Sequence, residues 1–169
     1  MIPTLTYLLK LRSTFRAVRK EDAKILLAAV STPFKWSIIP HAVEEVESIR
    51  NMLPDHITDQ AFTDASSQDI LGRLPECSIL HLACHGYQDQ QHPLNSGFVM
   101  HDQMLTVSQL MAINLPDAFM AFLSACETAK GDQNQPDQAI HLAATMLFVG
   151  FKSVVGTMWL VIRFDLFRN

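Results

Sequence analysis

Ala118-Phe119-Met120-Ala121-Phe122-Leu123-Ser124-Ala125-Cys126-Glu127-Thr128 is the stretch whose reading decides the fold. It is apolar without a break from Ala118 to Leu123 and shows no alternation, the pattern of a strand buried on both faces of a parallel sheet. A buried helical segment of this length would read the same way, so the flanks decide. Pro116-Asp117 closes the run upstream, and Lys130-Gly131-Asp132-Gln133-Asn134-Gln135-Pro136-Asp137 is a polar loop downstream. A short apolar run between two breakers reads as a strand. Cys126 then stands at the carboxyl end of a core strand, where parallel α/β sheets place ligands and chemistry. Alone it has two readings. It is an inert, small buried hydrophobe, or it is a nucleophilic thiolate at a strand end.

Similar short apolar runs recur on both sides. Lys24 to Val30 ends at Ser31-Thr32-Pro33 and reads as a first buried strand. Ser78 to Cys84 is another, ending in His85-Gly86, and Lys152 to Val161 is a last one. His56 to Phe62 is a weaker candidate. Between them, Pro40 to Leu53 carries Val43, Val46, Ile49 and Met52 at helical spacing. Glu44, Glu45 and Glu47 lie on its polar face, and Glu47 stands three before Arg50. Ser67 is a candidate cap for a helix running to Leu74. Gly97 to Met104 reads as a small hairpin and Thr106 to Met111 as a helical turn. Gln138 to Val149 reads as a buried helix stopped by Gly150. This order predicts a doubly wound α/β domain, its mostly parallel sheet of four or five strands covered by helices on both faces.

The chain has 169 residues, 49% of them hydrophobic and 18% charged, enough for one domain with its own core. A net charge of −4 argues against a nucleic-acid partner. Three cysteines, Cys77, Cys84 and Cys126, make no disulfide framework and point to a reducing, cytoplasmic setting. No apolar run approaches a membrane span. Residues 1–23 form a basic N-terminal segment with Lys10, Arg12, Arg16, Arg19 and Lys20 and no acid before Glu21. It reads as a surface helix, a remnant of a preceding region, or a transit-type leader.

His85 and Cys126 both fall at the carboxyl ends of predicted core strands. If those strands are neighbours, imidazole and thiol meet at one sheet edge. The imidazole takes the thiol proton and the ion pair holds a thiolate. Gly86 lets a substrate carbonyl approach its N–H, which with the N–H of Cys126 would make an oxyanion hole. The competing reading of His85 is a loop histidine bonded to nearby backbone. Zinc is disfavoured: on a strand, His81 and His85 stand about 13 Å apart at roughly 3.3 Å per residue. His81 is read as a core or near-core histidine, and Cys77 and Cys84 as structural.

The blocks His81-Leu-Ala-Cys-His85-Gly86, Pro93-Leu-Asn-Ser96, Leu105-Thr106, Leu123-Ser-Ala-Cys126-Glu-Thr128 and Val154-Val-Gly-Thr-Met-Trp159 resemble the CHAT domain, a family similar to caspases and separases. The resemblance implies a caspase-like fold over residues 24–169. It also implies a cysteine endopeptidase with His85 as base and Cys126 as nucleophile. Ser124 and Thr157 or Trp159 would line the substrate pocket. Asp132 or Asp137 in the loop beyond Cys126 would favour a basic substrate side chain, against the plainer reading of solvated loop charge. The sequence departs from the family at Arg163, where an acidic residue is usual, and ends at Asn169, before the usual further helix and strand. The last strand is accordingly expected to form an uncovered edge.

No cofactor or metal is implied. The expected partners are a protein or peptide substrate and, by the resemblance, helical-repeat regions or other domains of a longer chain. A catalytically idle interaction module of the same fold is the alternative. A flavodoxin-like binder lacks its glycine-rich turn.

Overall fold

The computed structural model describes residue 19 and residues 22–89, 91–126 and 138–156. Strands β1 (Lys24–Ala29), β2 (Thr58–Thr63), β3 (Ile79–Tyr87), β6 (Met120–Cys126) and β7 (Ser153–Gly156) pair in parallel in the order β2-β1-β3-β6-β7. Strands β4 (Gly97–Val99) and β5 (Met104–Thr106) form the expected hairpin, which adds antiparallel to the end of β3. Helices α1 (Ala42–Met52), α2 (Ser67–Arg73), α3 (Val107–Met111) and α4 (Gln138–Val149) complete the order. Among the described residues no helix is long and apolar enough to cross a membrane.

The strands are buried by their period of two. Leu26 and Ala28 of β1, Leu80, Leu82 and Cys84 of β3, and Ala121 and Leu123 of β6 face the larger core, with Ile70 of α2, Leu110 of α3 and Met146 of α4. Leu27, Ala29 and Ala83 face the other way, onto Ala42 and Val46 of α1. Helices thus cover both faces of a sheet whose centre is apolar, as the uninterrupted runs predict. The strand predicted over 118–124 begins two residues later. The Phe119 and Met120 amides both donate to the Ser78 carbonyl, and pairing with β3 starts at Met120.

Strand β3 outruns its expected end at Cys84. His85, Gly86 and Tyr87 stay in the strand because the hairpin supplies partners Val99, Phe98 and Gly97. Ser67 is not the cap of α2. Ser66 caps it in a reciprocal box with Asp69, while the backbone and hydroxyl of Ser67 donate to Asp102 at 2.8 and 3.0 Å and tie the helix to the hairpin. Thr106 and Gln109 make the same box at α3. Arg50 reaches Asp59 of β2 at 2.9 Å, so its described ion pair lies across elements rather than within α1. Gly150, at φ +128, ends α4 as predicted: its N–H donates to Leu147 and that of Phe151 to Met146.

Among the described residues β7 pairs with β6 alone, and Val155 is 44% exposed. The part of the predicted last strand beyond Gly156 lies outside the described residues.

Candidate functional site

The parallel register sets His85 of β3 opposite Cys126 of β6, the last of seven partners from Ile79–Met120 onward. Neighbouring strands lie about 4.8 Å apart, so the two backbones meet at the carboxyl end of the central strand pair, the edge where α/β sheets carry their chemistry. The Cys126 side chain lies outside the described residues, as do Asp132, Asp137, Thr157 and Trp159.

His85 is 3% exposed and is held by the loop joining β1 to α1. Its Nε2 lies 2.8 Å from the Ser37 carbonyl oxygen and 3.4 Å from the Ser37 hydroxyl. A carbonyl only accepts, so Nε2 carries the proton in this contact, and in the neutral ring Nδ1 keeps the lone pair. Trp36 covers the imidazole at 5.6 Å between ring centroids and meets Tyr87 edge-on at 5.8 Å.

That loop is fastened at several points. The backbone amides of Ser31 and Thr32 and the hydroxyl of Ser31 all donate to one oxygen of Asp64. His101 Nδ1 donates to the Thr32 carbonyl, and Phe34 N–H donates to Met100. Burial pushes the Asp64 carboxyl up, but the hydrogen bonds from Thr32 and Ser31 outweigh it and hold the group below its ordinary value. Asp64 at φ 50 and Lys35 at φ 60 both occupy the left-handed region, and Lys35 makes its turn immediately before Trp36.

Gly86 follows His85, and its side of the strand faces the larger core. A Cβ there would lie 2.8 Å from Leu142 Cδ1 of α4. The glycine therefore admits close approach of a helix, a role its sequence reading did not include.

The residues preceding the pair form a second polar group on the His85 face. His81, 6% exposed, stacks on Phe122 at 5.1 Å. Its Nε2 lies 3.0 Å from Oε1 of Glu45 but off the direction of a well-formed hydrogen bond, so the two groups are close without a made bond. The other oxygen, Oε2, accepts from the Ser124 hydroxyl at 3.1 Å. Ser124, expected in the substrate pocket, thus sits beneath Glu45 two residues before Cys126. His81 is buried, as its reading predicts.

Cys77 and Cys84 are buried free thiols. Burial raises Cys77 to about 12 and Cys84 further, so neither is a thiolate at neutral pH. Cys84 belongs to the larger core, on the face opposite His81. Among the described residues no three His, Cys, Asp or Glu side chains are grouped to hold a metal.

Sequence reasoning missed Glu45, Ser37 and Trp36. Glu45 was placed on the polar face of α1, yet it falls three after Ala42 and four before Ile49, on the edge of the buried stripe. That spacing was the available signal. Ser37 acts through its backbone carbonyl, which no residue type announces.

The family model of the CHAT domain matches residues 2–163, and the chain belongs to that family. The family is related to the cysteine peptidases. A comparison with curated proteins gives no match.

Proposed function

We propose that this CHAT domain protein is a cysteine endopeptidase acting through His85 and Cys126. The observation that carries the reading is the register partnership of these two residues, together with a His85 ring whose Nε2 is taken by the Ser37 carbonyl. Nδ1 is then the nitrogen with a lone pair for a thiol. In this reading it removes the Cys126 proton, and Sγ attacks the substrate carbonyl. The N–H groups of Gly86 and Cys126 stabilise the tetrahedral oxyanion. The imidazolium returns its proton to the departing amine as the C–N bond breaks. Water, deprotonated by the same nitrogen, then hydrolyses the thioester and frees the acid and the thiol. Ser124, Thr157, Trp159 and Asp137 line the substrate side, no cofactor takes part, and the substrate is a protein or peptide met in the cytoplasm.

The test is turnover of a mixed peptide library by the full chain, followed by mass spectrometry. Cys126→Ala should abolish cleavage. His85→Ala should lower it about 10²- to 10⁴-fold, and Cys84→Ala should leave it intact. If the folded wild-type chain cleaves nothing and its Cys126 alkylates at the same rate with and without His85, the peptidase reading fails. The idle interaction module then takes its place.

A further inference from the structure

The carbonyl that meets His85 belongs to a surface loop that packing alone does not fix. Phe34, Lys35, Ser37 and Ile38 are all exposed in it. Its hydrogen bonds converge on Ser31. The Ser31 carbonyl accepts from the Ile39 amide at 2.9 Å and closes the loop two residues after Ser37. The Ser31 amide and hydroxyl, both at 2.8 Å, and the Thr32 amide at 2.9 Å donate to Oδ1 of Asp64. Asp64 follows β2 directly, in the left-handed region at φ 50, and the next amide, that of Ala65, donates to Ala29 at the end of β1. The carboxylate is thus anchored to the sheet on one side and grips the closing point of the loop on the other. A continuous path runs from Asp64 through Ser31 and Ile39 to the Ser37 carbonyl and His85 Nε2.

We infer that Asp64 is a positioning residue for His85: by clasping Ser31 and Thr32 it holds the Ser37 carbonyl in place and so fixes the imidazole. Asp64 touches no substrate and acts through the loop. Its consequence for catalysis rests on the peptidase reading of His85 and Cys126, whereas its hold on the ring does not. Hydrogen bonds to a charged acceptor are the stronger kind, and three of them meet on one oxygen here. A small misplacement of a catalytic group, caused far from the chemistry, can cost about 10²-fold in rate.

The test is nuclear magnetic resonance of the full chain carrying isotope-labelled histidine, at neutral pH. The Nε2 proton of His85, bonded to Ser37 in a ring that is 3% exposed, should give a resonance slow to exchange with water, and its loss in His85→Ala assigns it. Asp64→Gly suits the left-handed backbone but has no carboxylate, and should speed that exchange about tenfold or more. Asp64→Asn keeps the conformation and an acceptor oxygen, and should stay nearer the wild type. Ser31→Ala, which removes one of the three donors, should act in the same direction as Asp64→Gly and serves where that chain does not fold. Val149→Ala trims the larger core on the opposite face of the sheet and should leave the exchange unchanged, whereas a merely structural effect would follow stability in both places. No protected Nε2 proton in the wild type, exchange unmoved by Asp64→Gly and Ser31→Ala, or exchange sped equally by Val149→Ala would overturn the inference. Turnover of the best-cleaved library peptide separates the two readings: Asp64→Gly should lower kcat about 10²-fold with KM unchanged. Protection that depends on Asp64 in a chain that cleaves nothing keeps the clasp and rejects the peptidase. Cleavage with kcat untouched by Asp64→Gly rejects the positioning role alone.

Discussion

Alanine at Gly97 should damage the fold more than alanine at Gly86, although both glycines lie in paired strands beside the site. A Cβ at Gly97 would stand 2.1 Å from the Leu105 carbonyl oxygen and 2.8 Å from both the Leu105 carbonyl carbon and Thr106 Cα. All three are backbone atoms of the hairpin partner. Since Cβ contacts essentially never fall under 3.0 Å, β4 and β5 would have to part by about 0.9 Å, breaking the pairing of Gly97 with Thr106. At Gly86 the obstacle is one methyl of Leu142, the far end of a side chain that can turn. Overpacking ordinarily costs about 1–3 kcal/mol. Gly97→Ala should lie at or above the top of that range, about 3 kcal/mol, and Gly86→Ala near its floor, about 1 kcal/mol. Urea unfolding followed by circular dichroism reads both, provided the slope with denaturant stays constant. Because Gly97 is also the partner of Tyr87, Gly97→Ala should loosen the end of β3 that carries His85. A Gly97→Ala chain within about 0.5 kcal/mol of wild type, below the overpacking range, or a costlier Gly86→Ala, would refute the reasoning.

Asp64 and Asp102 are both held below the ordinary aspartate value. Burial raises each, and hydrogen bonds from Thr32 and Ser31 to Asp64, and from Ser67 to Asp102, outweigh it. Their contribution is therefore present above the unfolded value and lost as pH falls through the lower folded values; Asp64→Asn should flatten the stability profile below about pH 4 in acid titrations followed by fluorescence. Thr106→Ala should cost about 1 kcal/mol through loss of the α3 cap, whereas Arg50→Ala should cost under about 1 kcal/mol because the Arg50 side chain is 57% exposed in its pair with Asp59; chemical denaturation ranks the two. Cys77 and Cys84 should resist iodoacetamide at pH 8 until the chain is unfolded, since burial keeps both thiols protonated; mass spectrometry of native and denatured samples locates the label.

The parallel sheet was legible because its strands are buried on both faces and so appear as unbroken apolar runs, from Lys24, Ser78 and Ala118 onward. Residues that end elements by backbone geometry were legible too, as Gly150 shows. What the sequence hid were choices between chemically equal neighbours and between near and distant partners. Ser66 and Ser67 both suit a cap, and the decision rests on Asp102, 35 positions away. Arg50 has an acid nearby in α1, yet pairs with Asp59 once β2 is laid beside β1. His85 was legible as a residue near the carboxyl end of a core strand, register partner of position 126. Its orientation was not, because the Ser37 carbonyl that fixes it is common to every residue type.

The division of labour within β3 follows from the two-residue period of a strand. Leu80, Leu82 and Cys84 enter the larger core, closed by α2, α3 and α4, where a polar group would be costly to bury unpaired. His81, Ala83 and His85 fall on the other face, where α1 covers the middle of the sheet and the β1–α1 loop covers its end. That cover brings Glu45 of the helix close to His81 and gives His85 the Ser37 carbonyl of the loop as a hydrogen-bond partner. Ala83 leaves room between the two histidines for α1 to approach at Ala42 and Val46. A slip of one residue would drive both histidines into the apolar core and bring Cys84 to the face now held by His85. The pairing of β3 with β1 and β6 over Ile79 to Ala83 resists that slip. The same register that builds the core therefore also sets which histidine is the strand partner of position 126 and which one lies close to Glu45.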